Sequence, residues 1–145
     1  MHRSFVADSK LIQSLELRSV PVLCQKGEVL FRQGEACKGL YVVKSGELSL
    51  VLAAENGREV MQLAVGSGCL LGVPAVVGKG PYTLTAKALV DSKVGLIALR
   101  EFEDLMEAQP ALFPSVLAVL AAGVRSGRLA LTRIMSENGC RFSEH

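Results

Sequence analysis

Lys26-Gly27-Glu28-Val29-Leu30-Phe31-Arg32-Gln33-Gly34-Glu35, followed by Gly39-Leu40-Tyr41-Val42-Val43-Lys44-Ser45-Gly46-Glu47-Leu48, decides the fold of this chain. Gly27 opens a short β-rich run, and Gln33-Gly34-Glu35 reads as a turn. Leu40 to Val43 is a second run, stopped by Lys44-Ser45-Gly46. Glu47 to Leu52 then alternates polar and apolar residues, the period of a half-buried strand. Asn56-Gly57 is the strongest short hairpin signal in the chain, and its partner strand is Arg58 to Val65.

The same spacing continues outward in both directions. Upstream, Val20, Val22 and Cys24 alternate, preceded by a short helix that Asp8 or Ser9 can cap and whose apolar positions are Leu11, Ile12 and Leu15. Downstream, Cys69 to Leu71 reads as a short strand and Gly72 to Gly80 as a loop dense in glycine and proline. Tyr82 to Leu89 and Lys93 to Leu99 follow as strands, with Asp91-Ser92 turning between them. A parallel sheet needs helix-length crossovers, and there are none before Arg100. The expectation is a mainly β fold with flanking helices, an eight-stranded antiparallel β-roll of jelly-roll type over residues 20–99. Two C-terminal helices follow over 100–137. The first ends before Pro110, and the second is long, starting near Phe113 and stopping at Asn138-Gly139. Residues 1–137 thus form a single domain, with 138–145 as a tail.

Composition narrows the function. With 145 residues, half of them apolar, the chain is large enough for a core without covalent staples. A net charge of +2 with no clustered cations argues against direct nucleic-acid binding. No stretch offers the roughly 20 apolar residues of a membrane span, and the N-terminus has no signal core, so a cytoplasmic location is expected. Cys24, Cys37, Cys69 and Cys140 match no paired zinc or iron–sulfur spacing, which leaves them as small buried hydrophobes in a reducing compartment. The only histidines, His2 and His145, lie at the ends. No metal site and no nucleophile–histidine pair can be assembled within the core, and the chain reads as a non-enzyme.

The quoted strands resemble the opening strands of a cyclic-nucleotide-binding domain, the sensor half of a Crp/Fnr-type regulator. Ala88-Leu89-Val90-Asp91-Ser92-Lys93-Val94-Gly95-Leu96-Ile97 is similar to that domain's last two strands, and the resemblance covers about residues 8 to 135. It implies a regulatory module with a ligand site in a short phosphate cassette. In the family that cassette is a Gly-Glu pair opening a one-turn helix, then an Arg followed by Ser or Thr about ten residues on. Helix amides and the Arg hold the cyclic phosphate, and the Glu accepts from the ribose. Gly72 and Thr83 match. Val73 stands at the Glu position and Tyr82 at the Arg position, with Pro74 and Ala75 continuing the segment.

Two lost charge-assisted hydrogen bonds weaken binding by about 3–6 kcal/mol if they add independently. That moves a micromolar site to millimolar or worse. The cassette therefore reads as degenerate, and no high-affinity cyclic AMP or GMP site, nor any other cofactor, is expected. A site for a different small ligand would draw on amides near Pro74 to Val76, the hydroxyls of Tyr82 and Thr83, and the charge of Arg128.

The long helix carries a second signal. Phe113, Leu117, Leu120, Val124, Gly127, Leu131 and Ile134 alternate spacings of four and three, a coiled-coil seam over about three heptads. Val116, Val119 and Met135 form another apolar set, so one face can pack inward while the other pairs. The resemblance implies the same, since the corresponding helix forms the family's dimer interface. The expected partner is a second copy, through a parallel homodimer. Too few residues follow Glu137 for a helix-turn-helix, so the DNA-reading half of such regulators is not expected in this chain. The expected function is a non-catalytic regulatory module. The alternatives are a dimerisation or docking domain without a ligand, and a sensor of another small ligand that feeds transcriptional regulation.

Overall fold

The structure is a computed structural model and describes residues 7–122. Eight strands run β1 Val20–Cys24, β2 Val29–Phe31, β3 Gly39–Ser45, β4 Glu47–Ala53, β5 Glu59–Gly66, β6 Leu70–Leu71, β7 Thr85–Ala88 and β8 Ser92–Ala98. They form two four-stranded antiparallel sheets, ordered β1-β8-β3-β6 and β2-β7-β4-β5. Helices α1 Ser9–Glu16, α2 Val73–Gly78 and α3 Leu99–Ala108 flank the roll. A 3-10 turn, Pro110–Leu112, leads into a further helix, α4, described over residues 113–122. The expected mainly β roll with flanking helices is the fold found.

The continuous apolar run Leu40 to Val43 has a simple cause. β3 lies inside its sheet between β8 and β6, and it is buried on both faces. Tyr41 and Val43 face the roll interior with Phe31, Leu48, Leu50, Val65, Leu71 and Val94. Leu40 and Val42 face the opposite way, into a second cluster that holds Leu11 and Leu15 of α1, Phe102 and Leu105 of α3, and Val116 and Val119 of α4. Strands buried on both faces lose the alternation that a one-sided sheet shows. Each fully buried leucine contributes roughly 1.5–3 kcal/mol, so the helices are held to the roll by this outer cluster.

Two sequence readings shift. The segment 72–80, read as a loop, contains the six-residue helix α2, which begins after Gly72 with Pro74 in its first turn. A proline there is tolerated because the amide it lacks has no intrahelical partner. The strand expected from Tyr82 starts only at Thr85, because Tyr82 turns inward and its backbone pairs with the 34–35 turn instead: Gly34 N–H donates to its carbonyl and its own N–H donates to Glu35. The alternating run from Val20 is strand β1. Cys24 is buried, but Val20 is 62% exposed at the sheet's edge.

Candidate functional site

The cassette segment sits between the two sheets and the outer helices. Gly72 adopts φ +93° ahead of α2, and its α-carbon faces the Tyr82 ring. A Cβ there would lie 3.1 Å from Tyr82 Cε1 and 3.2 Å from the Gly39 carbonyl oxygen. The Val76 N–H is committed to the Gly72 carbonyl at 3.1 Å.

Tyr82 is buried in the roll interior. Its ring stacks on Phe31 at 4.0 Å between centroids, and Phe31 stacks in turn against Tyr41 at 5.6 Å. Its hydroxyl donates to the Gly39 carbonyl at 2.8 Å and accepts from the N–H groups of Lys38 at 3.1 Å and Gly39 at 3.2 Å. A hydroxyl with one donor and two acceptor positions is thereby fully used. Burial pushes the Tyr82 phenol well above its usual range, with the Lys38 N–H pulling the other way. Burial likewise raises the Tyr41 phenol above its usual value.

The cassette residues named from sequence therefore separate. Gly72, Pro74, Tyr82 and Thr83 do surround a common cavity, together with Phe31, Leu50, Leu71 and Leu84. That cavity measures about 30 Å³, against roughly 300–1,000 Å³ for ordinary ligand pockets. Val73 does not line it; its side chain belongs to the outer cluster with Leu11 and Phe102. Ala75 is buried in the roll cluster. The Tyr82 hydroxyl, named from sequence as a ligand contact, makes its hydrogen bonds to Lys38 and Gly39 in this structure. Thr83 is exposed. Arg128 lies outside the described residues.

The structure brings forward residues that sequence reading passed over. Phe31 and Tyr41 complete the aromatic stack; both are inward members of strands that sequence did identify, but nothing in their spacing reveals a mutual stack. Gly39 is the backbone anchor of Tyr82. An open groove of about 1420 Å³ runs between α2, the loop before β3, and α3. Its walls include Cys37, Val77, Met106 and Phe113, and it shares no wall residue with the small cavity.

On the dimer seam, Phe113 and Leu117 are 37% and 41% exposed, while Val116 and Val119 are buried against the roll. Val124, Gly127, Leu131 and Ile134 lie outside the described residues, and Leu120 is half-buried. Among the described residues no single helix is long and apolar enough to cross a membrane, and no group of three metal-ligating side chains comes together.

A two-sheet antiparallel roll with a short helix opening after a left-handed glycine, followed by C-terminal helices, defines a β-roll of the cyclic nucleotide-binding type. The chain belongs to the cyclic nucleotide-binding domain family, whose model matches residues 21–109. Among curated proteins it is 32% identical over 123 residues to an uncharacterized NTE family protein of Mycobacterium tuberculosis, covering 85% of this chain and 20% of that one. It is 27% identical over 114 residues to the fumarate and nitrate reduction regulatory protein of Escherichia coli, covering 79% of this chain and 45% of that one. The chain thus spans from a fifth to under half of these two relatives. Among solved structures, the catabolite activator protein of Thermus thermophilus superposes with a TM-score of 0.74 at 24% identity, over 86% of this chain and 58% of that one. The N-terminal domain of a transcriptional regulator from Streptomyces coelicolor gives 0.64 at 27% identity, over 81% and 82%. The likeness is to Crp/Fnr-type regulators.

Proposed function

We propose that this chain is a non-catalytic regulatory module of Crp/Fnr type, working in the cytoplasm as a homodimer, whose interior does not take cyclic AMP or cyclic GMP with high affinity. The observation that carries this reading is Tyr82. A stacked, buried phenol with all its hydrogen bonds made to backbone stands where the family places the cation for the cyclic phosphate. A nucleotide would have to displace that ring and leave the Gly39 carbonyl and amide unpaired. Each buried polar group left without a partner costs about 1–3 kcal/mol. The position meant for the ribose acceptor holds Val73, which has no polar atom and packs among the outer helices.

The homodimer reading is supported by the sidedness of α4. Val116 and Val119 are used by the roll, and Phe113 and Leu117 are exposed among the described residues. The non-catalytic reading is supported by membership of the cyclic nucleotide-binding domain family. Isothermal calorimetry with cyclic AMP and cyclic GMP tests the ligand reading. No saturable heat is expected below roughly millimolar nucleotide, and a submicromolar dissociation constant for either overturns it. Light scattering tests the assembly, with a dimer mass expected at micromolar concentration.

A further inference from the structure

The open groove and the free face of α4 form one surface. Phe113 is a wall of the groove, and Leu117, one turn further along α4, carries the same exposed apolar stripe away from it. The opposite walls are Val77 of the α2 segment and Met106 of α3, both half-buried. Whatever covers the stripe therefore also reaches α2, the helix that opens the cassette.

The groove's charged residues point to a particular kind of partner. Lys79 and Arg100 supply cations, and Glu103, Asp104 and Glu107 supply carboxylates. A two-fold axis sets a surface patch against its own copy, so a surface carrying both signs can pair cation with carboxylate across the axis. A partner of one strong sign would instead meet repulsion from part of the same surface. The four-and-three spacing that begins at Phe113 is likewise a self-pairing pattern.

From this we infer that a second copy of the chain covers the groove, seating its Phe113–Leu117 stripe against Val77 and Met106. The inference rests on the homodimer reading and adds a site to it: α2 is part of the interface, so assembly and the cassette helix are in direct contact. Residues Val77 and Met106 would then matter for association even though they lie off the helical seam.

The test uses the full chain and sedimentation equilibrium. Val77→Arg and Met106→Arg place a charge on two different walls at half-buried positions at the margin of the outer cluster, with folding of each checked by circular dichroism. Each is expected to raise the dimer dissociation constant at least about tenfold, equivalent to about 1.4 kcal/mol. Either variant, if folded, is sufficient to decide. If both dimerise like the parent while Leu117→Glu dissociates, the groove is not part of the interface and the inference falls with the dimer intact. If the parent is itself monomeric at high micromolar concentration, the homodimer reading falls and this inference falls with it.

Discussion

The Tyr82 hydroxyl donates a 2.8 Å hydrogen bond to the carbonyl of Gly39, tying the cassette segment to the first residue of β3. Neither residue can be exchanged freely. Gly39 has φ +151°, and a Cβ built on it would stand 2.0 Å from the Ile97 carbonyl oxygen in the neighbouring strand. Tyr82 also pairs its backbone with Gly34 and Glu35. The tyrosine therefore pins the whole 34–39 connection between β2 and β3.

Tyr82→Phe separates the two roles of this side chain. The ring stays on Phe31, but the Lys38 and Gly39 amides and the Gly39 carbonyl lose their shared partner. The expected loss is about 1–3 kcal/mol for the unsatisfied buried groups, read as a lower urea midpoint at unchanged m-value. A midpoint equal to the parent's would show that water or the backbone replaces the hydroxyl.

Gly39→Ala and Gly72→Ala should differ in severity. At Gly39 the new methyl meets rigid strand backbone, and the variant is expected not to accumulate in folded form. At Gly72 the nearest atoms are the Tyr82 ring and the Gly39 carbonyl at 3.1 and 3.2 Å, so small shifts suffice. The left-handed conformation adds roughly 1–2 kcal/mol for an alanine. Thermal melts of the two variants side by side check the order, and a Gly39→Ala protein as stable as Gly72→Ala would contradict it.

The fold was legible because its information is local. Asn56-Gly57 marks a turn by its own chemistry, and the alternation of Glu47 to Leu52 reports a strand with one buried face. The two faces of α4 were also readable, since Val116 and Val119 fall out of step with Phe113 and Leu117. The site was less so. That Val73 and Tyr82 replace charged cassette residues is visible in the sequence, but where their side chains go is not. Val73 turns to the outer cluster, and Tyr82 turns inward to stack on Phe31. Gly39 as the anchor lies 43 residues from Tyr82, and no local pattern links the two. The groove depends on the packing of α2, α3 and α4 together, which no single segment encodes.

The cysteines offer a chemical reading of burial. Burial raises the thiols of Cys24 and Cys69 above their ordinary value, and the thiolate is the reactive form. Cys37 is half-buried and opens onto the groove. Iodoacetamide on the native protein at pH 8 should label Cys37 well before Cys24 or Cys69, with peptide mass spectrometry giving the order. Equal rates at all three would mean that the roll opens on the labelling timescale.

Asp8 gives the clearest pH dependence. Its carboxylate caps α1 by accepting from the Leu11 N–H at 2.9 Å. A hydrogen bond with Ser115 of α4, the largest cause, together with the Leu11 bond, holds its pKa below the ordinary 3.8. Because the folded value is depressed, the contribution is fully present above the unfolded value. It is lost as pH falls through the folded one. Asp8→Ala should therefore cost about 0.5–2 kcal/mol at pH 7, the usual range for losing an N-cap. The gap between parent and variant should narrow once pH drops below 3.8. Asp8→Asn keeps a capping oxygen but no titratable charge, so it should recover much of the loss at pH 7 without the acid dependence. Denaturant unfolding at pH 7 and at pH 3 on the three proteins measures this, and a parent–Ala difference that stays constant between the two pH values would rule out the carboxylate as its source.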